Sequence, residues 1–242
     1  MIGTAASPVR VLVTGFGPFP GVPYNASGTM LARLAQIPAG PRIEHFTEVI
    51  PVIWADARTM AKEAAARVKP HAILHFGVSK RLIGFEIEAR AINMSGPKED
   101  HAGVVRPGKP LHRSGQAFLN ATAPPLAMLR ALRQSGLPAQ LSNDAGRYLC
   151  NALFYWSLLD AGPSGPLVSF VHMPVLGLEA EVQPRLKLED CLQGALILIR
   201  ASAQAVLRAR QNGNGIRRGG RSDGSQVFHG TGRGSRRAVW HG

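Results

Sequence analysis

The sequence predicts an α/β protein, a single-domain three-layer α/β/α sandwich built on a mostly parallel, twisted sheet. Segments with the pattern of buried strands alternate along the chain with segments of helical spacing, which is typical of a parallel sheet covered by helices on both faces. The length of 242 residues suits one large domain better than two. The apolar content of 45% is that of an ordinary globular core.

The first half of the chain supplies the opening strands and helices. Predicted strands cover 10–16, a β-branched run that ends in glycine, 72–77, a buried apolar run, and 85–92, where apolar and polar residues alternate with period two. Asn25 is expected to cap a helix, and an Ala-rich segment with mixed charges predicts a second helix over 53–67.

The second half begins with residues 94–117, whose Gly, Pro and charged residues predict a long surface loop. Helix 124–135, strand 140–142, helix 146–160, strand 167–172 and helix 187–210 are predicted to follow. The full order is β-α-β-α-β-β-α-β-α-β-α, in which the second strand lies between the first two helices without an assigned range. Ligands of such sheets bind beyond the carboxyl ends of the strands, so the turns after 10–16, 72–77 and 167–172 are the expected place of a site.

Residues 211–242 differ in composition from the domain predicted over 1–210. Gly, Arg, Ser and Asn dominate there with almost no periodic apolar pattern, which predicts a disordered tail. The net charge of +13 is partly a property of this tail, which holds six Arg and one Asp. Because the remaining charge forms no continuous basic run, nucleic acid is not expected as a partner, except weakly through the arginines at 217–221. A solvated extension without a role is the preferred interpretation of the tail.

Composition also bounds the compartment and the cofactors. No apolar run reaches the roughly 18–20 residues that cross a bilayer, so no membrane partner is expected. The two cysteines, Cys150 and Cys191, are too few for a secreted disulfide scaffold and fit a reducing cytoplasm, where at least one thiol could react. Since no His or Cys cluster has zinc-ligand spacing, neither a metal nor another cofactor is expected.

Cys150 is a candidate nucleophile. It follows a polar turn that contains Gly146, and it falls in or near the first turn of the apolar helix that comes next. Unpaired N–H groups and the positive end of the helix dipole favour a thiolate there. A lone cysteine in an apolar helix is more often an inert buried residue. Cys191, which no such turn precedes, exemplifies that alternative.

His172 is a candidate base for this thiol. It closes an apolar strand, and Pro174 prevents the strand from continuing. The imidazole then faces the edge of the sheet where ligands bind. A core histidine bonded to backbone is at least as common on these grounds alone.

Glu86 and Glu88 project from the same face of strand 85–92. Because a carboxylate in so apolar a strand is unfavourable unless paired, one of them could accept the imidazole N–H and orient the ring, the third role of a catalytic triad. The competing interpretation is a solvated outer face that pairs locally with Arg90.

The glycine-rich turn at 14–21 resembles a dinucleotide-binding loop, but Pro20 occupies the position of the third glycine, and prolines remove the N–H donors that a phosphate needs. Phe16 and Phe19 stand at the carboxyl end of the strand instead. They form an apolar aromatic wall suited to a flat uncharged ring, or alternatively plug the core beneath a rigid loop.

These segments, in this order, resemble the pyroglutamyl peptidase I family of cysteine peptidases, also called pyrrolidone-carboxylate peptidases. Val-Thr-Gly-Phe-Gly-Pro-Phe-Pro-Gly at 13–21 is similar to the family's opening motif, and Asn25 follows at the family's spacing. Asp-Ala-Gly-Arg-Tyr-Leu-Cys at 144–150 resembles the nucleophile motif, and Phe-Val-His-Met-Pro at 170–174 resembles the histidine motif. The similarity covers about residues 10–207.

The spacing of the family's catalytic glutamate distinguishes the two acidic residues. Glu88 lies five residues before Asn93, as that glutamate does in the family, and this favours Glu88 over Glu86. Residues 94–117 do not match the family closely and could alter the preference for the leaving peptide.

The resemblance implies a cysteine exopeptidase that removes N-terminal pyroglutamate from peptides through a thioester acyl-enzyme. It implies Cys150 as nucleophile, His172 as base and Glu88 as the orienting group. The substrate-binding residues that it implies are Phe16, Phe19, Asn25 and Tyr148. A homo-oligomer, dimer or tetramer, is also implied, since family members in bacteria are often tetramers.

The sequence leaves two other functions open. One is another Cys-His amide hydrolase, acting on a glutamine-like amide. The other is a binding protein without catalysis whose basic tail binds nucleic acid.

Overall fold

The fold consists of eight strands and five helices within the residues that the computed structural model describes. These residues are 7–176, 181–184 and 186–218, with the backbone alone for 212–218. The elements are β1 (Val9–Phe16), α1 (Ala26–Leu34), β2 (Ile43–Ile50), α2 (Ala57–Val68), β3 (Ala72–Ser79), β4 (Phe85–Glu88), β5 (Arg90–Ile92), β6 (Phe118–Asn120), α3 (Pro125–Gln134), β7 (Ala139–Ser142), α4 (Leu149–Ala161), β8 (Leu167–Pro174) and α5 (Leu188–Arg218). The predicted α/β class is confirmed.

Six of the strands form one mixed sheet in the order β2-β1-β3-β8-β4-β7. Strands β2, β1, β3 and β8 are parallel to one another, whereas β4 is antiparallel to β8 and parallel to β7. The remaining two strands, β5 and β6, pair with each other in a separate antiparallel ribbon. The sheet is therefore mostly parallel, and β8 lies at the boundary between its two strand directions.

Helices cover both faces of the sheet, which makes the predicted three layers. Helices α1, α3 and α5 pack on one face around buried residues such as Met30, Leu132 and Ile199. Helices α2 and α4 pack on the other face around Ala64 and Phe154. The two apolar layers contain most of the buried side chains, and their packing fixes the positions of the strand ends.

The strand without an assigned range is β2, at the edge of the sheet. Its side chains are mostly half-buried or exposed, because only β1 pairs with it. An edge strand of this kind has weak apolar periodicity, which explains why the sequence pattern did not locate it.

The prediction of one strand over 85–92 is wrong, because the chain leaves the main sheet at Ala89. The backbone N–H of Ala89 donates to Ser142 at the edge of the sheet, while its carbonyl accepts from Ala121 beside β6. Strands β4 and β5 therefore belong to different sheets. Alternation with period two continues across this crossing, so the pattern alone does not reveal it.

Helix α5 continues to Arg218, past the predicted end at 210. Among its side chains up to Gln211, the last buried one is Val206, and the turns beyond it extend an established helix, which needs no new nucleation. The part of the predicted disordered tail beyond 218 lies outside the described residues. The Leu188–Gln211 part of α5 is long and apolar enough to cross a membrane by length and composition alone. However, its residues Cys191, Ala195 and Leu198 are buried in the apolar layer on one face of the sheet, which is typical of a core helix in a globular domain.

Candidate active site

Cys150 is the second residue of α4, at the end of a turn formed by residues 143–148. Gly146 in that turn has a φ of +80°, a left-handed conformation that favours glycine. Tyr148 caps the helix in an extended conformation, and no side chain caps its first N–H groups. The half-buried Cys150 is a free thiol. Its sulfur therefore lies beside unpaired N–H groups at the positive end of α4, where a thiolate or an oxyanion is stabilised.

Strand β3 approaches Cys150 closely at Gly77. A Cβ added there would stand 3.0 Å from Cys150 Sγ and 2.9 Å from Phe170 Cζ. A side chain at this position would push the thiol away from the sheet, so glycine is required. The same register places Gly77 directly opposite His172 on β8.

His172 lies near the carboxyl end of β8, as predicted, and is only 8% exposed. Its ring packs 4.8 Å from the ring of Phe170. Nδ1 lies 2.7 Å from Glu88 Oε1, and the ring lines the same cavity as Cys150. Since Nδ1 faces the carboxylate, Nε2 is the nitrogen available to the thiol.

The two acidic side chains of β4 have different environments. Glu88 is fully buried, and its second oxygen, Oε2, has no hydrogen-bond partner among the described residues. Glu86 is half-buried and accepts a hydrogen bond from Gln140 Nε2 at 2.5 Å. Only Glu88 contacts the imidazole, so the carboxylate selected by spacing is also the one that geometry brings to His172.

These contacts change the pKa of His172. Burial by itself would lower the pKa of this imidazole, but hydrogen bonds to Cys150 and Glu88, together with their negative charges, raise it to about 10. The imidazolium is therefore the favoured form at neutral pH. A protonated His172 that pairs with a carboxylate and lies beside a cysteine is the arrangement that an acyl-transferring cysteine enzyme needs.

A cavity of about 520 Å³ opens beside Cys150 and His172. Phe16, Phe19, Asn25 and Tyr148, the four predicted substrate-binding residues, all line it. The centroids of the Phe19 and Tyr148 rings lie 6.2 Å apart. The predicted nucleophile, base and pocket residues thus line one cavity, and the predicted orienting group, Glu88, lies buried behind His172.

Asn25 has a second role, as the predicted cap of α1. Its Oδ1 accepts hydrogen bonds from the backbone N–H and the hydroxyl of Ser27, and its Nδ2 donates to the carbonyl of Gly17 at 2.9 Å. The side chain therefore fixes the aromatic turn as well as lining the cavity.

Comparison with known proteins places the chain in a family. Residues 9–208 match the family model described as pyroglutamyl peptidase. A pyrrolidone-carboxylate peptidase from Vibrio vulnificus is 30% identical over 86% of this chain and 99% of its own length. The chain belongs to the pyroglutamyl peptidase family.

Solved structures of family members superpose well on this one. A mutant pyrrolidone carboxyl peptidase from Pyrococcus furiosus matches with a TM-score of 0.76 and 26% identity, over 81% of this chain and 99% of that one. Pyroglutamyl peptidase I from Bacillus amyloliquefaciens matches with a TM-score of 0.75 and 25% identity, over 81% and 97% of the two chains. The fold of this pyroglutamyl peptidase family member is therefore the family's fold.

The 94–117 loop contributes residues to the site that the sequence pattern did not identify. The Lys98 ammonium lies 4.7 Å from the centroid of the Phe19 ring and 4.6 Å from that of Tyr148. The Tyr148 hydroxyl donates to the carbonyl of Glu99 at 2.7 Å. Composition predicts a surface loop here but carries no signal for which of its residues faces a cavity.

The acidic cluster could in principle hold a cation. Ligand atoms of Glu86, Glu88 and His172 lie within 4.8 Å of one another. In this pyroglutamyl peptidase family member, however, Nδ1 of His172 is engaged by Glu88 and Glu86 by Gln140. These hydrogen bonds favour the triad interpretation of the cluster.

Proposed function

We propose that this protein is a cysteine exopeptidase that removes N-terminal pyroglutamate from peptides, with Cys150 as nucleophile, His172 as base and Glu88 as the orienting carboxylate. The observation that carries the proposal is the 2.7 Å hydrogen bond between His172 Nδ1 and the buried Glu88, with Cys150 and His172 lining one aromatic-walled cavity. Membership of the pyroglutamyl peptidase family supports the same activity.

The chemistry follows from the arrangement of these groups. The Cys150 thiolate attacks the carbonyl carbon of the pyroglutamyl residue, and the oxyanion that forms is stabilised by N–H groups of the first turn of α4. The His172 imidazolium gives its proton to the leaving amine, which leaves a thioester on Cys150. His172 then takes a proton from water, the hydroxide attacks the thioester, and pyroglutamate is released with the thiolate restored.

The cavity suits the pyroglutamyl ring, which is a lactam and carries no ammonium group. Phe16, Phe19 and Tyr148 supply apolar faces for such a ring. Because the ring is uncharged, its recognition needs no carboxylate of the kind that aminopeptidases use for a free amine.

Hydrolysis of matched fluorogenic amides tests this proposal. We expect the pyroglutamyl amide to be cleaved while the glutaminyl and prolyl amides are not, and Cys150→Ala to lose about 10³-fold or more in kcat/KM. The matched control is Cys191→Ala, which removes a thiol buried in the opposite apolar layer. Equal turnover of all three amides would indicate a less selective Cys-His amide hydrolase instead, and full activity in Cys150→Ala would refute the mechanism.

Location and assembly complete the proposal. Two free cysteines, one of them the nucleophile, support a reducing compartment such as the cytoplasm. A homo-oligomer is supported by apolar exposure on the edge strand β2, where Phe46 and Val49 are 38% and 45% exposed. Light scattering of the purified chain would measure its mass directly.

A further inference from the structure

A lysine ammonium contacts two of the aromatic rings that line the cavity, those of Phe19 and Tyr148. The Lys98 ammonium lies between the Phe19 and Tyr148 rings, at 4.7 and 4.6 Å from their centroids. An ammonium over an aromatic face is attracted by the ring quadrupole. The faces that the pyroglutamyl ring would contact are thus partly occupied by Lys98.

The backbone around Lys98 is fixed to the turn that carries the nucleophile. The N–H of Gly96 donates to the carbonyl of Arg147 at 2.6 Å, and the Tyr148 hydroxyl donates to the carbonyl of Glu99. Asp100, which is 1% exposed, accepts from three backbone N–H groups. Lys98 therefore extends from an anchored segment, and only its side chain is free to move.

A second ammonium, that of Lys80, faces the same space. Lys80 lines the cavity, and its Nζ lies 3.9 Å from the point where a Cβ on Gly21 would stand. Burial lowers the pKa of Lys98, the negative charge of Cys150 raises it, and the positive charge of Lys80 lowers it. The two lysines and the nucleophile therefore act on one another electrostatically.

The carboxylates that line the cavity are engaged elsewhere. Asp144 pairs with Arg147, and Glu181 pairs with Arg81. Glu86 accepts from Gln140. Within 7–176, 181–184 and 186–211, the cations of Lys80 and Lys98 have no carboxylate partner in a salt bridge.

We propose that Lys98, assisted by Lys80, selects pyroglutamyl substrates that carry a carboxylate immediately beyond the scissile bond. The carboxylate is either the acidic side chain of the second residue or the C-terminal carboxylate of a pyroglutamyl dipeptide. The inference rests on the proposed function, and it names the class of leaving group.

The physical reason is an exchange of partners. A lactam ring that enters the cavity competes with the Lys98 ammonium for the faces of Phe19 and Tyr148, so the ammonium moves outward on its flexible stem. A neutral leaving residue leaves that partly desolvated cation without a new partner. A carboxylate at the second residue forms an ion pair with the displaced Lys98 ammonium, which lowers the free energy of the complex and of the transition state.

Two pairs of peptides measure this preference. Pyroglutamyl-Glu-Ala-amide and pyroglutamyl-Gln-Ala-amide differ by one charge at nearly constant shape, and pyroglutamyl-Ala and its amide differ by the terminal carboxylate. Each cleavage creates a primary amine that the substrate lacks, so fluorescamine follows the reaction. At low ionic strength we expect about fivefold to tenfold higher kcat/KM for the charged member of at least one pair. The pair that shows it identifies the source of the carboxylate.

Lys98→Met keeps an apolar side chain on the rings and removes the charge. We expect the charged-to-neutral ratio to fall to about one, because the cation that distinguishes the two peptides of each pair is gone. A merely structural role of Lys98 would lower both rates together and leave the ratio unchanged. Lys62→Met is the matched control, since it removes the same charge from α2, away from this cavity.

The outcomes separate this inference from the function on which it rests. If the wild type cleaves the Gln peptide but shows a ratio of one in both pairs, or if Lys98→Met keeps the wild-type ratio, the inference is wrong and the peptidase function stands. If the wild type cleaves none of the four peptides, the proposed function itself is wrong. A ratio lost in Lys98→Met and kept in Lys80→Met would confine the selectivity to Lys98.

Discussion

Two cysteines and two buried histidines show how environment, rather than residue type, distinguishes the proposed catalytic pair, Cys150 and His172. Burial, with the nearby charges of Asp190 and Glu189, raises the pKa of Cys191 to about 12, so this thiol is inert. Burial lowers the pKa of His75 to about 3, and its ring bridges the hydroxyls of Thr14 and Ser157 as a neutral core histidine. Cys150 and His172 differ from this inert thiol and this neutral histidine because they line the same cavity and because Glu88 hydrogen-bonds to Nδ1 of the His172 ring.

Removing the Glu88 charge tests its role directly. In Glu88→Gln an amide oxygen can still accept the Nδ1–H, so the ring stays oriented, but the negative charge that favours the imidazolium is lost. We expect the pKa of His172 to fall below about 10 and kcat/KM to fall roughly 10²-fold or more. Titration of histidine ring carbons by NMR measures the pKa, with the His172 signal assigned from its absence in His172→Gln.

The sign of the pH effect on stability follows from the same contacts. The folded pKa of about 10 exceeds the usual value of 6.5, so the paired imidazolium stabilises the fold fully below about pH 6.5 and this contribution is lost as the pH rises through 10. In Glu88→Gln the loss is expected at lower pH. Glu86→Gln is the matched control, because it removes the same charge from the same face without contacting the ring; an equal shift in both variants would contradict the assigned role of Glu88.

At the scale of elements, strands and helices with strong patterns could be predicted, and those at boundaries could not. The buried runs of β1, β3 and β8 follow their predicted ranges closely, because both faces of each strand are covered. Edge strand β2 and the crossing at Ala89 depend on pairing partners far along the chain, which periodicity does not encode. For the site, motifs indicated Cys150 and His172, whereas Lys98 has no local signal at all.

A buried carboxylate, that of Asp100, anchors one part of the 94–117 loop. Asp100 accepts from Trp54 N at 2.7 Å through Oδ2, and from the N–H groups of Ala102 and Val104 through Oδ1. In Asp100→Asn the amide group must place a donor against one of these donors. We expect a loss of about 1–3 kcal/mol in the free energy of unfolding, measured in urea, and a higher KM for pyroglutamyl peptides, because the wall of the cavity is loosened.

Asp160→Asn is the control for this loop prediction. It removes a carboxylate from the partly exposed pair with Arg58, where an ion pair contributes little. We expect its stability to change by less than about 1 kcal/mol with KM unaltered. Equal effects of the two substitutions would show that the loop does not depend on Asp100.

At the scale of the whole molecule, the topology of the sheet creates the site. Strand β8 lies between β3 and β4, so His172 stands opposite Gly77 on one side and Glu86 on the other. Helix α4 then brings Cys150 over this point from the α2–α4 face. Residues as far apart in sequence as Glu88 and His172 converge because β4 enters the sheet antiparallel to β8. Motif order predicts which residues matter, and only the strand order explains why they meet.

The predicted boundary between the domain and the tail, at residues 210 and 211, can be tested by truncation. Among the side chains of α5 described up to Gln211, Val206 is the last buried one, and the predicted tail begins at 211. A chain that ends at Gln211 retains every residue of the cavity and loses six Arg and one Asp. We therefore expect its kcat/KM for a pyroglutamyl amide to equal that of the full chain and its melting temperature to change little.

Retention on a nucleic-acid column separates the tail from the domain. If the tail carries the affinity, the full chain elutes at higher salt than the chain that ends at Gln211, because each phosphate contact that is lost lowers the salt dependence of binding. Retention that persists after truncation would instead assign the affinity to the domain. A truncated chain without peptidase activity would show that residues beyond 211 support the site, and the domain boundary would then move toward Arg218, where α5 ends.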